Sequence, residues 1–497
     1  MMLSLLLKGV VPISVEQDCE ITSLTIDSRD VVKGSLFVAL KGTQQHGLNY
    51  ASSVAEKGAA AIIWESDVNT QTQNLELPQI EVNDLRDNLG EIANRFYSSP
   101  SQSLNVIGIT GTDGKTSVSH FIAQSLNNCA VMGTLGIGLL SDLQTATHTT
   151  PDVITTHKNI ATMELQQIKS VAMEVSSHAL DQGRVAGVNF DVAVLTNLTR
   201  DHLDYHGTVE AYAEAKAKLF AWSDLKALVL NLDDEFGVEM AQKWGCVFNN
   251  ASTTAYQTQI IGYGVGSIAD YPANSLVAVN AEFNSSGLSA QIHFDGQVAE
   301  LKASVLGRFN LSNLLAALGA ILALGDSLQN AVTELNKVHT VAGRIEKVSD
   351  ADVLAVVDYA HTPNALETVL KALREHTQNQ LICVFGCGGD RDAGKRPLMA
   401  KIAEANSDVV IVTDDNPRSE DPQIIMKDIV AGFIYPAKAT VEYDRATAIR
   451  LALKQASSGD TVLIAGKGHE NYQILASGTI DFSDREEANK ALQELAA

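Results

Sequence analysis

Short apolar runs separated by amphipathic stretches dominate the chain from residue 106 onward. Residues 170–174, 192–196 and 227–232 are such runs, and 353–357, 381–385, 409–413 and 461–465 repeat the pattern nearer the C-terminus. An unbroken apolar run bounded by polar residues predicts a strand buried on both faces. Helical stretches between such runs predict parallel crossovers. The fold class expected is therefore α/β with doubly wound parallel sheets. The first 85 residues read as short strands and turns, with strands at 21–26, 35–40 and 60–64 and a helix near 54–57. A helix over 85–97 leads into Ser-Ser-Pro-Ser-Gln-Ser at 98–103, which reads as a polar linker. Residues 252–302 alternate in the manner of antiparallel strands and read as an insertion, and 309–324 as an apolar helix. The pattern divides the chain into 1–85, 86–341 and 342–497, with no repeat and no low-complexity tract.

A length of 497 residues fits this division, since each part is long enough for its own core. The formal net charge of -23 argues against broad nucleic-acid binding, because no basic surface dominates. An anionic ligand could still bind a local basic site. Five cysteines, Cys19, Cys129, Cys246, Cys383 and Cys387, are too scattered for a disulfide framework. Cys383 and Cys387 lie around a strand end without a second ligand pair, so zinc is not expected and reduced thiols in the cytoplasm are. The apolar stretch within residues 1–11 is too short for a signal segment or a membrane span, and no other stretch reaches spanning length.

The chemistry begins at 106–117, Val-Ile-Gly-Ile-Thr-Gly-Thr-Asp-Gly-Lys-Thr-Ser. An apolar strand turns into a Gly-rich loop, then a Lys and two hydroxyls, then a helix over 118–126. That order is a phosphate cradle. Gly111 and Gly114 let backbone N–H groups approach phosphate oxygens, Lys115 reaches the outer phosphates, and the Thr116 hydroxyl suits Mg²⁺. The spacing departs from the usual P-loop, since Ile109 stands where the first glycine belongs. A chance Gly-Lys-Thr turn is disfavoured by the flanking strand and helix.

Polar groups gather at strand ends, where α/β sheets bind ligands. The run ending at Glu174 puts a carboxylate opposite the P-loop threonine, a natural Mg²⁺ ligand. His202 follows a strand in a polar turn. Lys216 and Lys218, on a helix in 212–220, read in isolation as a solvated face.

Taken together, Gly-Thr-Asp-Gly-Lys-Thr, Met-Glu-Val-Ser-Ser-His, Thr-Arg-Asp-His-Leu-Asp-Tyr-His-Gly and Glu-Ala-Lys resemble the Mur ligase family, ATP-dependent amide-forming enzymes of peptidoglycan synthesis. The likeness runs from Asp-Ser-Arg at 27–29 to Gly-Lys-Gly-His-Glu at 466–470, and is strongest to the branch that makes the UDP-muramoyl-tripeptide. It implies three domains: an N-terminal nucleotide-sugar domain, a central ATPase domain and a C-terminal Rossmann-like domain. It implies an acyl phosphate formed with ATP and attacked by an amine. Gly111, Thr112, Asp113, Gly114, Lys115, Thr116 and Ser117 would hold the ATP phosphates. Thr116 and Glu174 would bind one Mg²⁺. His202 and a carbamylated Lys216 would bind a second, the carbamate turning a cation into an anionic oxygen ligand. Lys218 is the neighbour that does not match. Asn310, Asn313, Arg344 and Asp358 match further ATP-side residues. Asp113 departs from the Asn common in the family.

By the same resemblance, Ile26, Ser28, Gln44, Gln45 and His46, with Thr149, Thr150, Ser176, Gln182 and Arg184, would contact UDP-N-acetylmuramoyl-L-alanyl-D-glutamate. Asp415-Asn-Pro-Arg418 looks like the meso-diaminopimelate signature. A planar guanidinium grips the extra carboxylate bidentately. Arg391 and Arg418 would face carboxylates, Asp415, Asn416 and Pro417 would shape the pocket, and Gly466 and Glu470 would take the distal ammonium. A simple Asn-Pro-Arg turn is the structural alternative. A monomer in the cytoplasm, without nucleic-acid partners or membrane insertion, is expected. Two other functions remain open at this point. A folylpolyglutamate synthase-like ligase would share the ATP loop and the carbamate, but Asp-Ser-Arg and Asp-Asn-Pro-Arg argue against it. A P-loop regulatory protein would need no amine-substrate loops.

Overall fold

A computed structural model describes the chain apart from residues 43–44, 67–71, 73, 250–257, 350–352 and 497. Two compact units result, Met1–Ile261 and Gly262–Ala497.

The first unit opens with four parallel strands in chain order, Ser23–Thr25, Ser35–Ala39, Ala61–Glu65 and Gln79–Val82. Alternate residues point to opposite faces, so Leu36, Val38, Ile63 and Ile80 pack on Leu85, Leu89 and Ile92 of helix Leu85–Phe96. Phe37, Ile62 and Trp64 cover Leu48 and Val54 on the other face. The short helix expected at 54–57 spans Ala51–Glu56. The segment read as a polar linker is folded in. Pro100 starts a 3-10 turn, Pro100–Gln102, and the buried Ser101 hydroxyl accepts a bond from Asn189 N at 2.9 Å.

The remainder of this unit is a parallel sheet ordered Cys129–Gly133, Ser170–Glu174, Asn105–Thr110, Val192–Leu195, Ala227–Asn231, with Gly136–Leu139 antiparallel on the outer edge. The first strand in sequence lies in the middle, so connections leave it in both directions. Ligand crevices form where the connections diverge, beyond the carboxyl ends of the strands.

In the second unit, Leu276–Asn284, Gly287–Phe294 and Gln297–Ala303 form the expected antiparallel meander. The preceding strand, Gln259–Val265, does not fit the expected antiparallel pattern, because Tyr263–Val265 pair in parallel with Leu276–Ala278. Alternation of period two records one buried face and carries no information about strand direction. Residues 252–257 of the expected insertion lie outside the described residues. The apolar helix spans Arg308–Ala323.

The C-terminal sheet orders Leu354–Asp358, Thr461–Ala465, Leu381–Phe385, Val409–Val412 and Ala439–Val441, all parallel, with Glu346–Lys347 antiparallel at one edge. The last long strand thus inserts between the first two, and the loops after 358, 385, 412 and 465 emerge at one end. Helices Pro363–Arg374 and Lys395–Asn406 cover one face, and Arg445–Gln455 and Asp484–Ala496 the other. Cys383 sits mid-strand rather than at a strand end, and burial pushes the thiols of Cys383 and Cys387 up to about 12. Among the described residues, no helix is long and apolar enough to cross a membrane.

Candidate active site

The strand Asn105–Thr110 delivers the chain into a loop that only glycine allows at its first position. Gly111 has φ +151°, and a Cβ there would overlap the Thr196 hydroxyl. The loop is tied to the neighbouring strand end. Thr112 N donates to Asn197 O at 3.0 Å, Asp113 N to Asn197 Oδ1 at 2.9 Å, and the Thr196 hydroxyl to Asp113 O at 2.6 Å. Gly114, left-handed at φ +84°, caps helix Lys115–Ser125, which begins three residues earlier than the expected 118. The amides of Lys115, Thr116 and Ser117 therefore lie in the first turn of this helix, the end at which a helix can bind an anion. Lys115 Nζ folds back onto Gly111 O at 2.8 Å and Thr112 O at 2.9 Å.

Glu174 ends the adjacent strand and is 1% exposed. Its Oε2 accepts the Thr116 hydroxyl at 3.0 Å and the Thr134 hydroxyl at 3.1 Å, while Oε1 accepts Thr134 N at 3.0 Å. Gly133 leaves room for the carboxylate, which a Cβ there would strike. Burial raises the pKa of Glu174, and Lys115 and these hydrogen bonds oppose the rise. Sequence reasoning missed Thr134, because a lone threonine after glycine carries no periodic or motif signal.

Lys216 is 1% exposed, which corrects its reading as part of a solvated face. Helix Val209–Ala217 turns Tyr212, Ala215 and Lys216 inward. Lys216 Nζ donates to Gly111 O at 2.7 Å and lies 4.5 Å over the Tyr212 ring. Desolvation first, and then the Lys115 charge, pull its pKa from 10.5 down to about 6. Lys218 keeps the expected exposure and pairs with Asp181 at 2.8 Å. His202 is half-exposed in the left-handed region, φ +52°, at the start of a short helix. Its ring lies 4.9 Å from that of His178 and 6.0 Å from that of Tyr212. Burial lowers the pKa of His178, and the neighbouring histidines lower it further.

Thr149, Thr150, Ser176, Gln182 and Arg184 form a continuous hydrogen-bonded line beside Glu174. Thr149 meets the Thr134 hydroxyl at 3.0 Å, and Thr150 donates to Glu174 O at 2.8 Å. Ser176 N donates to Thr150 Oγ1 at 3.1 Å. Arg184 donates to Thr150 O at 3.1 Å and, through Nε, to Gln182 Oε1 at 2.9 Å. The other candidates for this substrate sit on the N-terminal sheet. Ser28 O accepts from Lys57 Nζ at 2.8 Å, Ile26 packs against the sheet core, and Gln45 bonds the Tyr50 hydroxyl. The buried His46 caps a turn, accepting Leu48 N at Nδ1, and its Nε2 meets Glu65 O at 3.0 Å. Gln44 lies outside the described residues.

In the second unit, Asn310 and Asn313 are buried on one helix face, with Asn310 donating to Leu306 O at 2.7 Å and Asn313 to Asn310 Oδ1 at 3.0 Å. Asp358 accepts Ile345 N and Ala360 N, each at 2.7 Å, and burial raises its pKa. Arg344 lies 5.6 Å over the Tyr359 ring.

The loops at the sheet's carboxyl end converge as the sequence suggests. Arg418, at φ +56°, donates through Nη1 to Gly389 O at 2.9 Å and Asn416 O at 3.3 Å. Asp390 accepts Ser419 N at 3.0 Å, so the 386–392 and 413–418 loops brace each other. Asp415, Asn416, Pro417 and Gly466 are buried, Glu470 is partly buried, and Arg391 is exposed. Glu470 Oε2 accepts the Asn416 amide at 3.1 Å and Lys467 Nζ at 2.9 Å. Sequence reasoning named the residues on either side of Lys467 and passed over the lysine itself. A charge between glycines carries the signal of a surface loop.

Three family models match the chain: the Mur ligase family catalytic domain over 20–97, the Mur ligase middle domain over 109–321, and the Mur ligase glutamate ligase domain over 343–468. A UDP-N-acetylmuramoyl-L-alanyl-D-glutamate--2,6-diaminopimelate ligase of Ectopseudomonas mendocina (strain ymp) is 46% identical over 484 residues, covering 96% of both chains. A ligase of the same name from Pseudomonas aeruginosa is 46% identical over 482 residues, again covering 96% of each. A solved structure of a ligase of that name superposes with TM-score 0.77 at 36% identity, covering 100% of both chains.

Proposed function

The chain belongs to the Mur ligase family, and we propose that it is the ATP-dependent, ADP-forming ligase that adds meso-diaminopimelate to UDP-N-acetylmuramoyl-L-alanyl-D-glutamate. The observation that carries the amino-acid choice is the Arg418 loop. A guanidinium held by the backbone carbonyls of Gly389 and Asn416, and a carboxylate, Glu470, that accepts the Asn416 amide, lie at the carboxyl end of a parallel sheet. That is a matched receptor for the carboxylate and ammonium of diaminopimelate's distal end. We assign residues 1–85 to the UDP-substrate domain, 86–341 to the ATPase domain and 342–497 to the amino-acid domain.

The chemistry follows in two balanced steps. A carboxylate oxygen of the glutamyl substrate attacks the γ-phosphorus of ATP, the bond to ADP breaks, and an acyl phosphate forms. The diaminopimelate amine then attacks the acyl carbon, phosphate leaves, and an amide and a proton result. Phosphoryl transfer asks mainly for positioning and charge stabilisation. The first-turn amides of Lys115, Thr116 and Ser117 and the Lys115 ammonium supply both. Asn310, Asn313, Arg344 and Asp358 are assigned to ATP on the family resemblance.

Mg²⁺ fits the residues present. Glu174 is a buried carboxylate surrounded by hydroxyl oxygens, and burial raises its pKa. A hard cation favours oxygen donors and would relieve that desolvation. Thr116 and Glu174 would hold one ion, and His202 and carbamylated Lys216 a second. Bound there, they would neutralise the phosphate charge. A neutral Lys216 amine can add CO₂, giving a carbamate and releasing one proton. By the family resemblance, Arg184, Gln182, Ser176, Thr150 and Thr149 would grip the UDP-linked peptide, and Ile26, Ser28, Gln44, Gln45 and His46 would contact the same substrate. On this reading the enzyme works in the cytoplasm, as a monomer.

The test is ADP release measured with ATP and each substrate alone and together. Sustained, multiple-turnover ADP release should require UDP-muramoyl-dipeptide and diaminopimelate together. Sustained release with a folate substrate, or multiple turnovers without the amine, would reject the proposal.

A further inference from the structure

Lys467 is 0% exposed, lying between strand Thr461–Ala465 and strand Tyr472–Leu475. A wholly buried lysine is uncommon unless paired. Its ammonium donates to Glu470 Oε2 at 2.9 Å and Asn416 Oδ1 at 3.2 Å, and lies 5.4 Å over the Tyr472 ring. Asn416 Oδ1 also accepts Ile474 N at 2.9 Å. With two donors on its oxygen, the Asn416 amide can only present its NH₂ to Glu470, and that bond is 3.1 Å. Lys467 therefore governs two neighbours at once. Together with Ile474 N it holds the Asn416 amide oxygen, and it neutralises one oxygen of Glu470. Among the described residues, Glu470 Oε1 accepts no hydrogen bond and remains for a ligand.

We propose that Lys467 is a positioning residue that sets amino-acid selectivity by holding the Asn416 amide and balancing the charge of Glu470. The inference rests on the reading that these loops bind diaminopimelate. Arg391, Arg418 and Lys467 carry positive charge, and Asp415 and Glu470 carry negative charge. Removal of Lys467 leaves Glu470 without its counter-charge in a partly desolvated site, which weakens a carboxylate-bearing ligand and strengthens one that ends in a lone ammonium. A lysine side chain has such an end.

The experiment compares the intact wild-type enzyme with K467M and K467Q, using diaminopimelate and L-lysine as amines. The expected result in K467M is a rise of about tenfold or more in KM for diaminopimelate, with KM for ATP and the UDP substrate within about twofold. The ratio of kcat/KM for diaminopimelate over lysine should fall by about tenfold. K467Q keeps a donor for Asn416 but loses the charge, and should show the same fall in ratio, so a folding defect in K467M leaves the test intact. In an E470Q background, K467M should change the ratio little, because its effect acts through Glu470. Equal losses in kcat for both amines with KM and the ratio unchanged would overturn the inference and make Lys467 merely structural. Failure of the wild-type enzyme to use diaminopimelate would instead reject the functional reading.

Discussion

Replacing Lys216 with Met should abolish turnover and yet stabilise the protein. Burial and the Lys115 charge hold the Lys216 amine at a pKa of about 6, against 10.5 for an ordinary lysine. The unfolded chain keeps this proton up to about pH 10.5, and the native chain releases it above about pH 6. Between these values the unfolded state binds more protons, so stability rises with pH across that window. At about pH 7.5, holding the amine neutral costs on the order of 4 kcal/mol relative to the unfolded chain. Methionine carries no such cost. The lost hydrogen bond offsets about 1 kcal/mol, because Gly111 O still accepts Lys115 Nζ. Lys216→Met should therefore unfold at higher urea by roughly 3 kcal/mol in CO₂-depleted buffer.

The same depressed pKa makes the amine reactive. At about pH 7.5 roughly 97% of a group titrating near 6 is neutral, against roughly 0.1% for an ordinary lysine, close to a thousandfold gain in the form that adds CO₂. Labelling with ¹³C-bicarbonate should give one carbamate resonance in the wild type and none in Lys216→Met. Activity should fall as pH drops through about 6, where the amine protonates. A short carboxylic acid should partly restore turnover in Lys216→Ala by supplying the missing oxygen. A Lys216→Met variant that is less stable than the wild type, or that keeps near wild-type turnover, would refute the reasoning.

Glu174→Ala and His202→Ala should each lower turnover strongly while the protein stays folded, and near wild-type rates for both at saturating Mg²⁺ would reject them as metal ligands. Arg418→Ala should lose about 3 kcal/mol of transition-state binding for diaminopimelate, read as kcat/KM, with KM for ATP hardly moved. It need not gain lysine use, since the loop shape remains, and an unchanged kcat/KM would make the 415–418 segment a plain turn. Asp484→Asn leaves the fully buried Arg445 guanidinium without its carboxylate partner, and should destabilise the second unit by about 3–5 kcal/mol in urea unfolding. A loss under about 1 kcal/mol would show that the pair contributes little.

What the sequence reveals here is what is local. The candidate phosphate cradle can be read because its glycines, lysine and hydroxyls are adjacent, and backbone geometry demands the glycines. Glu174 can be read because an apolar run announces the strand that ends in it. Lys216 cannot be read as buried without the family register. The helix around it, Val-Glu-Ala-Tyr-Ala-Glu-Ala-Lys-Ala, is too alanine-rich to show which face turns inward. The folded 98–103 segment is hidden for a related reason. Its serines look like linker residues, and only Asn189, far along the chain, gives Ser101 a partner. The parallel pairing of Tyr263–Val265 with Leu276–Ala278 is hidden because side-chain alternation is the same in both strand directions.

Two lysines show why burial alone does not decide chemistry. Lys216 and Lys467 are equally enclosed, at 1% and 0% exposure. Around Lys216 the nearest acceptor is a neutral carbonyl and the strongest neighbouring charge is another lysine, so the fold favours the uncharged amine. Around Lys467 stand a carboxylate at 2.9 Å and an amide oxygen at 3.2 Å, so the same side chain is held as one half of an ion pair. On the proposed function, the first environment would make a nucleophile that can be converted to a metal ligand, and the second a fixed counter-charge that would shape a binding pocket. Neither outcome is encoded in the residue type or in its burial. Each is written in the partners that the fold brings to it.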